Sequence, residues 1–131
     1  MNLSITKEFS FEASHVLFQE AQSDEVNRLI YGACNNLHGH TFRLFVTVTG
    51  PVDETGMILN YKKLSEIVET RIIKKVDHQH LNYLYGDSLP ITSENLIQWF
   101  AHAILDELPK DIQLKKLVLY ETQKCFCTLE L

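Results

Sequence analysis

Residues 38–49 read HGHTFRLFVTVT, and this stretch decides the fold. Its even positions carry two histidines followed by apolar side chains, whereas its odd positions are mostly polar, with Phe45 as the one apolar exception. This alternation predicts a half-buried β-strand, because successive side chains of a strand point to opposite faces. His38 and His40 therefore share the apolar face, about 6 to 7 Å apart along the strand.

A strand with the same pattern comes earlier in the chain. Residues 3–15 place apolar side chains and His15 on odd positions and polar side chains on even ones, with Lys7 as the break in phase. Pairing of the two strands would bring His15 to the same side as His38 and His40. Three imidazoles with an open fourth position are the ligand set of a catalytic zinc ion. The alternative is that the histidines are satisfied residues of the core.

The rest of the sequence predicts two long helices and two further strands. The expected elements are a short helix begun at Ser23, a short strand at 57–59, a helix over 61–76 capped by Asn60, a loop at 77–90, a helix from Thr92 or Ser93 that stops at Pro109, and strands at 114–121 and 124–131. Short connections favour antiparallel pairing. We therefore expect one α+β domain over residues 1–131, with the helices on one face of the sheet.

Composition excludes several classes of function. The 131 residues carry 12 Lys and Arg against 17 Asp and Glu, a net charge of -5 that disfavours binding to nucleic acid or to an anionic membrane. The longest uncharged apolar run, residues 96–105, has about half the length of a membrane span. The three cysteines are an odd number and the N-terminus resembles no signal peptide, so we expect reduced thiols and a cytoplasmic protein.

Four further residues suggest chemistry. Cys34, four residues before His38, would act as a thiolate base or nucleophile beside a cation; alternatively it is an inert buried thiol or the fourth ligand of a structural zinc. Asp77 and His78 follow the first long helix and could form a proton relay. Glu121 ends an apolar strand, where a carboxylate can accept two parallel hydrogen bonds from a flat heterocycle; the alternative is a solvated charge at the end of a strand.

Taken together, these residues resemble the 6-pyruvoyltetrahydropterin synthase and 6-carboxytetrahydropterin synthase family. The matching stretches, in the order that the family has them, are FEASH at 11–15, CNNLHGH at 34–40, GMILNY at 56–61, VDH at 76–78 with Leu81 and Asn82, TSENL at 92–96, and ET at 121–122. The family usually has Asp-Phe where this chain has Asn60 and Tyr61, a change that keeps a helix-capping side chain.

The resemblance implies a set of site residues and a fold. These residues are the zinc ligands His15, His38 and His40, the general base Cys34, the proton relay Asp77 and His78, the pterin anchor Glu121, and the pocket residues Thr92, Ser93 and Glu94. The implied fold is the tunnelling fold, a four-stranded antiparallel sheet with two helices on one face. Trimers of the family form a barrel and usually pair into hexamers, with active sites between subunits.

The implied substrate is 7,8-dihydroneopterin triphosphate, acted on by a zinc-dependent lyase. Only three residues separate Cys34 from His38, a spacing that resembles the bacterial branch. That branch releases acetaldehyde and triphosphate and makes 6-carboxy-5,6,7,8-tetrahydropterin for queuosine biosynthesis, whereas eukaryotic members with a wider gap form the 6-pyruvoyl product. We therefore favour the carboxy product. The alternatives are the pyruvoyl product and a non-catalytic binding module stabilised by zinc.

Overall fold

One mixed sheet of five strands organises the chain, in the spatial order β3-β1-β2-β4-β5. The computed structural model describes all 131 residues. Its elements, in chain order, are β1 Ser4–His15, α1 Asp24–Tyr31, a 3-10 helix Gly32–Asn35, β2 His38–Thr49, α2 Tyr61–Val68, a π-helical segment Glu69–Ile73, α3 Lys74–Val76, β3 Gln79–His80, α4 Leu81–Tyr85, α5 Ser93–Leu105, β4 Gln113–Tyr120 and β5 Phe126–Glu130.

The four long strands pair antiparallel, which confirms the α+β class and the antiparallel sheet expected from the sequence. The fifth strand, β3, has two residues and pairs parallel with the end of β1, so the sheet is mixed. The loop expected at 77–90 was therefore wrong in part, because it contains both β3 and α4.

Aromatic packing fixes the register of β1 and β2. Phe11 lies directly opposite Phe42, and their rings stack with centroids 4.8 Å apart, while Phe100 of α5 meets the Phe11 ring edge-on at 5.8 Å. Each side chain is almost fully buried, and such burial contributes about 1.5 to 3 kcal/mol per residue. Slippage by one residue would turn this apolar set to the outer face. The same register places His15 opposite His38.

The helices begin where the capping residues predicted. The side chains of Ser23, Asn60 and Thr92 accept hydrogen bonds from backbone N–H groups two or three residues further on, at the starts of α1, α2 and α5. The π-helical segment joins α2 to α3 without a break, as one helical run over 61–76. None of the helices combines the length and the apolar character that crossing a membrane requires.

One predicted helix end and one predicted strand were wrong. Helix α5 ends at Leu105 and not at Pro109, although Leu108 still packs against the core from the turn that follows. Residues 57–59 form no strand. Ile58 is instead buried as part of an irregular connection after Gly56, whose φ of 81° turns the chain.

Candidate active site

The three histidines of β1 and β2 meet at one end of the sheet, on the face that the helices cover. The ring centroid of His15 lies 4.4 Å from that of His38 and 5.3 Å from that of His40, and the latter two rings are 4.9 Å apart. Gly39 lets β1 approach closely, since a Cβ there would lie 3.3 Å from the carbonyl oxygen of Ala13. The three imidazoles thus converge, as the strand phase predicted.

Backbone carbonyl groups fix which nitrogen of two imidazoles faces the cluster. Nδ1 of His15 donates to the carbonyl oxygen of Ile91 at 2.8 Å, and Nδ1 of His38 donates to that of Asn36 at 2.7 Å. Because a carbonyl oxygen only accepts, Nδ1 carries the hydrogen in both rings and Nε2 keeps a free lone pair. These two hydrogen bonds are the kind that orient a metal-binding histidine.

The donor set fits a metal ion. Nε2 of His15, of His38 and of His40 is buried without a hydrogen-bond partner, and each such atom costs about 1 to 3 kcal/mol. The ligand atoms of these three residues and of Glu121 all lie within 4.8 Å of one another. A single zinc ion would satisfy the three lone pairs at once. Cys34 is not a member of this group, whose fourth member is the Glu121 carboxylate.

Glu121 is held between the histidines and the start of α5. Its Oε1 lies 3.2 Å from Nε2 of His40, without the alignment of a hydrogen bond. Its Oε2 accepts a hydrogen bond from the Ser93 hydroxyl at 2.7 Å. Ser93 is buried, so this second bond anchors the carboxylate.

Burial controls the protonation of the cluster. Loss of solvent is the largest influence on the pKa of His15 and of His40, and it lowers both below the ordinary value. The Glu121 carboxylate acts in the opposite direction, and the neighbouring His38 adds to the lowering. Both rings are therefore neutral at pH 7, which is the form that binds a metal.

A small cavity opens beside Glu121. It has a volume of about 150 Å³ and is lined by Ser93, Glu94, Glu121, Cys125, Phe126 and Cys127. Of the three predicted pocket residues, Ser93 and Glu94 thus share a cavity with Glu121, whereas the Thr92 side chain caps α5. A larger concavity of about 550 Å³ lies between residues 19–21 and 87–90 and contains none of the predicted site residues.

Cys34 lies in the 3-10 helix just before β2. Its thiol is free and half-buried, and its backbone carbonyl accepts a hydrogen bond from the Leu17 N–H at 2.9 Å. Leu17 is two residues beyond His15. The backbone of Cys34 is therefore attached to the segment that follows the buried histidine.

Asp77 and His78 attach to β1 through Glu12. The Glu12 N–H donates to Oδ1 of Asp77 at 2.9 Å, and the His78 N–H donates to the Glu12 carbonyl at 2.6 Å. Oδ1 of Asp77 also lies 3.0 Å from Nδ1 of His78, and these contacts, the Glu12 N–H first, hold the pKa of Asp77 below its usual value. The ionised carboxylate thus orients an imidazole whose side chain is 74% exposed.

Within one chain these residues do not form a single site. Backbone N–H groups of Glu12 and Val16 point to the edge of β1 that carries Asp77 and Asn82, whereas the N–H of Leu17 points to Cys34 on the other edge. The structure therefore brings together the three histidines, Glu121 and Ser93. It separates Cys34 from Asp77 and His78 across the width of β1.

The groups that orient the site carry almost no signal in the sequence. The acceptors for His15 and His38 are backbone carbonyls, which any residue supplies. Asn82 was only part of a family motif, yet its amide makes two hydrogen bonds to Val16, the residue after His15. The only sign of this role in the sequence is that Asn82 follows the apolar Leu81 shortly after the Asp77-His78 pair.

The fold and the site define an α+β protein with a three-histidine, one-carboxylate group at the end of an antiparallel sheet. A family model described as 6-pyruvoyl tetrahydropterin synthase matches residues 4–131, and the chain belongs to this family. The resemblance inferred from the motifs is thereby confirmed.

Several relatives extend over most of the chain. This chain is 38% identical over 125 residues to 6-pyruvoyl tetrahydrobiopterin synthase of Drosophila melanogaster, an alignment that covers 92% of this chain and 74% of the relative. It is 32% identical over 130 residues to dihydroneopterin monophosphate aldolase of Pyrococcus furiosus, covering 99% of both. It is 28% identical over 144 residues to 6-carboxy-5,6,7,8-tetrahydropterin synthase of Haemophilus influenzae, covering 94% and 95%.

A solved structure shows the same fold. The 6-pyruvoyl tetrahydropterin synthase of Caenorhabditis elegans superposes with a TM-score of 0.87 at 29% identity, covering 99% of this chain and 96% of the other.

Proposed function

We propose that this protein is a zinc-dependent lyase that converts 7,8-dihydroneopterin triphosphate to 6-carboxy-5,6,7,8-tetrahydropterin, releasing acetaldehyde and triphosphate, as a step toward queuosine. One observation carries the proposal: three buried imidazole nitrogens without partners lie within 4.8 Å of one another and of the Glu121 carboxylate, in a chain of the pterin synthase family. The cytoplasmic location expected from the cysteines is part of the proposal.

His15, His38 and His40 would hold the zinc through Nε2. When bound there, zinc would supply a Lewis acid that acidifies the side-chain hydroxyls of the substrate and the adjoining C–H. The protein's own contribution is to present three buried imidazole nitrogens, with the rings of His15 and His38 oriented by backbone carbonyls, and to leave a position open toward the substrate.

Glu121 would bind the pterin ring. A carboxylate can accept two N–H groups of a flat heterocycle side by side, which fixes the plane and direction of the ring. The Ser93 hydroxyl holds Oε2 in place, and the contact of Oε1 with His40 sets the spacing between ring anchor and metal ligands. The side chain of the substrate would thus extend toward the three histidines.

Cys34 and His78 would move the protons. Cys34 would take a proton from a carbon of the substrate side chain, and His78 would exchange a proton through its exposed Nε2 while Asp77 holds Nδ1. Because one chain carries these groups on opposite edges of β1, a second copy has to supply one of them. We therefore propose a homo-oligomer, a hexamer built from two trimers, with sites between subunits.

Two observations favour different products. The three-residue gap between Cys34 and His38 favours the 6-carboxy product. The higher identity to a protein named 6-pyruvoyl tetrahydrobiopterin synthase favours the 6-pyruvoyl product as the second candidate. The two reactions differ in whether a two-carbon aldehyde leaves the side chain, so the released acetaldehyde distinguishes them.

The deciding experiment incubates the zinc-loaded protein with 7,8-dihydroneopterin triphosphate and identifies the pterin by mass spectrometry, with an enzymatic assay for acetaldehyde. Equal amounts of 6-carboxytetrahydropterin and acetaldehyde are expected. A 6-pyruvoyl pterin without acetaldehyde would establish the second candidate. A parallel incubation with the monophosphate tests the substrate class named for the Pyrococcus relative; turnover of the monophosphate alone would overturn the proposal.

Two variants test the catalytic roles. Cys34→Ser is expected to keep its zinc and lose turnover, whereas a binding module in which Cys34 is a zinc ligand would lose its metal and unfold. His78→Ala is expected to lower turnover by about 100-fold or more. His102→Ala is the matched control, because His102 is an exposed histidine on α5, and its turnover should equal that of the wild type.

A further inference from the structure

The segment that follows His15 is held by side-chain amides. Both backbone polar groups of Leu17 bind the 3-10 helix: the Leu17 N–H donates to the carbonyl of Cys34 at 2.9 Å, and the Leu17 carbonyl accepts from Nδ2 of Asn35 at 3.0 Å. Leu17 is buried. Cys34 and Asn35 thus make with Leu17 the two hydrogen bonds that a neighbouring strand would otherwise make.

This pair of bonds ties Cys34 to the segment that carries one histidine. On its other side, the turn is tied to a second histidine, because the carbonyl of Asn36 accepts the Nδ1 hydrogen of His38 at 2.7 Å. Cys34 therefore lies between two attachments, each of which leads within two residues to a member of the three-histidine cluster.

Asn35 supplies the only side-chain bond in the first attachment. The Cys34 carbonyl is a backbone group that no substitution removes, so the amide of Asn35 is the part of the attachment that the sequence specifies. Without it, the Leu17 carbonyl would be left without a partner in a buried setting, and the turn would be held at this end by one bond that allows rotation about it. A shift of about 1 Å in a reacting group can cost about 100-fold in rate.

We propose that Asn35 is a positioning residue that, through its hydrogen bond to the Leu17 carbonyl, fixes the position of Cys34 relative to His15 and His38. The inference rests on the proposed function in one respect, since it takes Cys34 as the group that removes the substrate proton.

The kinetic test compares Asn35→Asp and Asn35→Ala with Gln98→Ala. Aspartate has the shape of asparagine but cannot donate to a carbonyl, so Asn35→Asp removes the bond and adds a negative charge, whereas Asn35→Ala removes the bond without adding a charge. The control, Gln98→Ala, removes an exposed side-chain amide of α5 that donates to the Glu94 carbonyl at 3.0 Å, a bond of the same kind on a different element from Cys34.

Both Asn35 variants are expected to bind zinc stoichiometrically, to keep KM, and to lower kcat by about 10- to 100-fold. The primary isotope effect on kcat with a side-chain-deuterated substrate should rise, because proton removal becomes slower than other steps. The control should keep the kcat and isotope effect of the wild type. Unchanged kcat in both Asn35 variants, or a loss that leaves the isotope effect unaltered, would overturn the inference.

A second measurement needs no substrate. Alkylation of Cys34 by iodoacetamide is followed by peptide mass spectrometry, with the exposed Cys125 of the same molecule as the internal reference. The Cys34 rate, relative to Cys125, should change in Asn35→Asp and Asn35→Ala and not in Gln98→Ala. If the wild type turns over no pterin phosphate while this ratio still changes, the proposed function fails and the positioning role stands. An unchanged ratio overturns the positioning role alone.

Discussion

Asn82→Ala should destabilise the protein at the end of β1. The Asn82 amide takes the place of a neighbouring strand for Val16: Oδ1 accepts the Val16 N–H at 2.9 Å and Nδ2 donates to the Val16 carbonyl at 3.0 Å. Asn82 is only 9% exposed, so water does not readily replace it. Alanine keeps the backbone of α4 and deletes both bonds.

The expected loss follows from those two bonds. A hydrogen bond contributes about 0.5 to 1.5 kcal/mol, and a buried group left without a partner costs about 1 to 3 kcal/mol. Because Val16 is half-buried, its N–H and carbonyl fall at the lower end of the second range. We expect a loss of about 2 to 3 kcal/mol in the free energy of unfolding, or about 6 to 15 °C in Tm for a chain of this length.

Urea unfolding of the metal-free protein provides the assay, at one protomer concentration throughout because assembly contributes to apparent stability. Asn36→Ala is the control, since it removes a single exposed hydrogen bond of 3.3 Å and should stay within about 0.5 kcal/mol of the wild type. A loss below about 0.5 kcal/mol in Asn82→Ala would refute the view that this amide substitutes for a strand.

Three further outcomes are expected. Zinc at one hundred times its dissociation constant should raise the free energy of unfolding by about 2.7 kcal/mol. In thermal unfolding, His15→Ala should abolish this gain. An equal gain in that variant would contradict the role of His15 as a zinc ligand. The pKa of Asp77 lies below its ordinary 3.8, so the ionised group stabilises the fold above that pH, and this contribution is lost as pH falls through the lower folded value. Asp77→Asn should therefore be less stable than the wild type at pH 7 and equal to it in strong acid, in urea titrations across pH; a constant difference would exclude this. Ser93→Ala should raise the KM for the pterin about tenfold with zinc affinity unaltered, because Glu121 loses the donor that holds it; an unchanged KM in steady-state kinetics would show that Ser93 does not position the carboxylate.

The long strands and the main helices were predictable because each is long enough for its pattern of apolar and polar residues to repeat several times. Strand β3 has two residues and α4 has five, too few for any period to emerge. Residues 57–59 show the opposite error: the apolar triplet predicts a strand, but Ile58 is buried in an irregular connection. Short apolar runs fit several conformations, and only tertiary packing selects one of them.

The orientation of the histidines separates what strand phase determines from what it does not. Phase determines the face of the sheet, and so it brought His15, His38 and His40 to one place. It does not determine which ring nitrogen faces the cluster, because rotation about the side-chain bonds exchanges them. That choice falls to the carbonyls of Ile91 and Asn36, which take the Nδ1 hydrogens and leave Nε2 inward. Both carbonyls lie in connections next to regular elements, one before α5 and one before β2. The metal-binding form of the site therefore depends on how these connections pack, and a substitution that moves either one should weaken zinc binding while leaving every histidine in place.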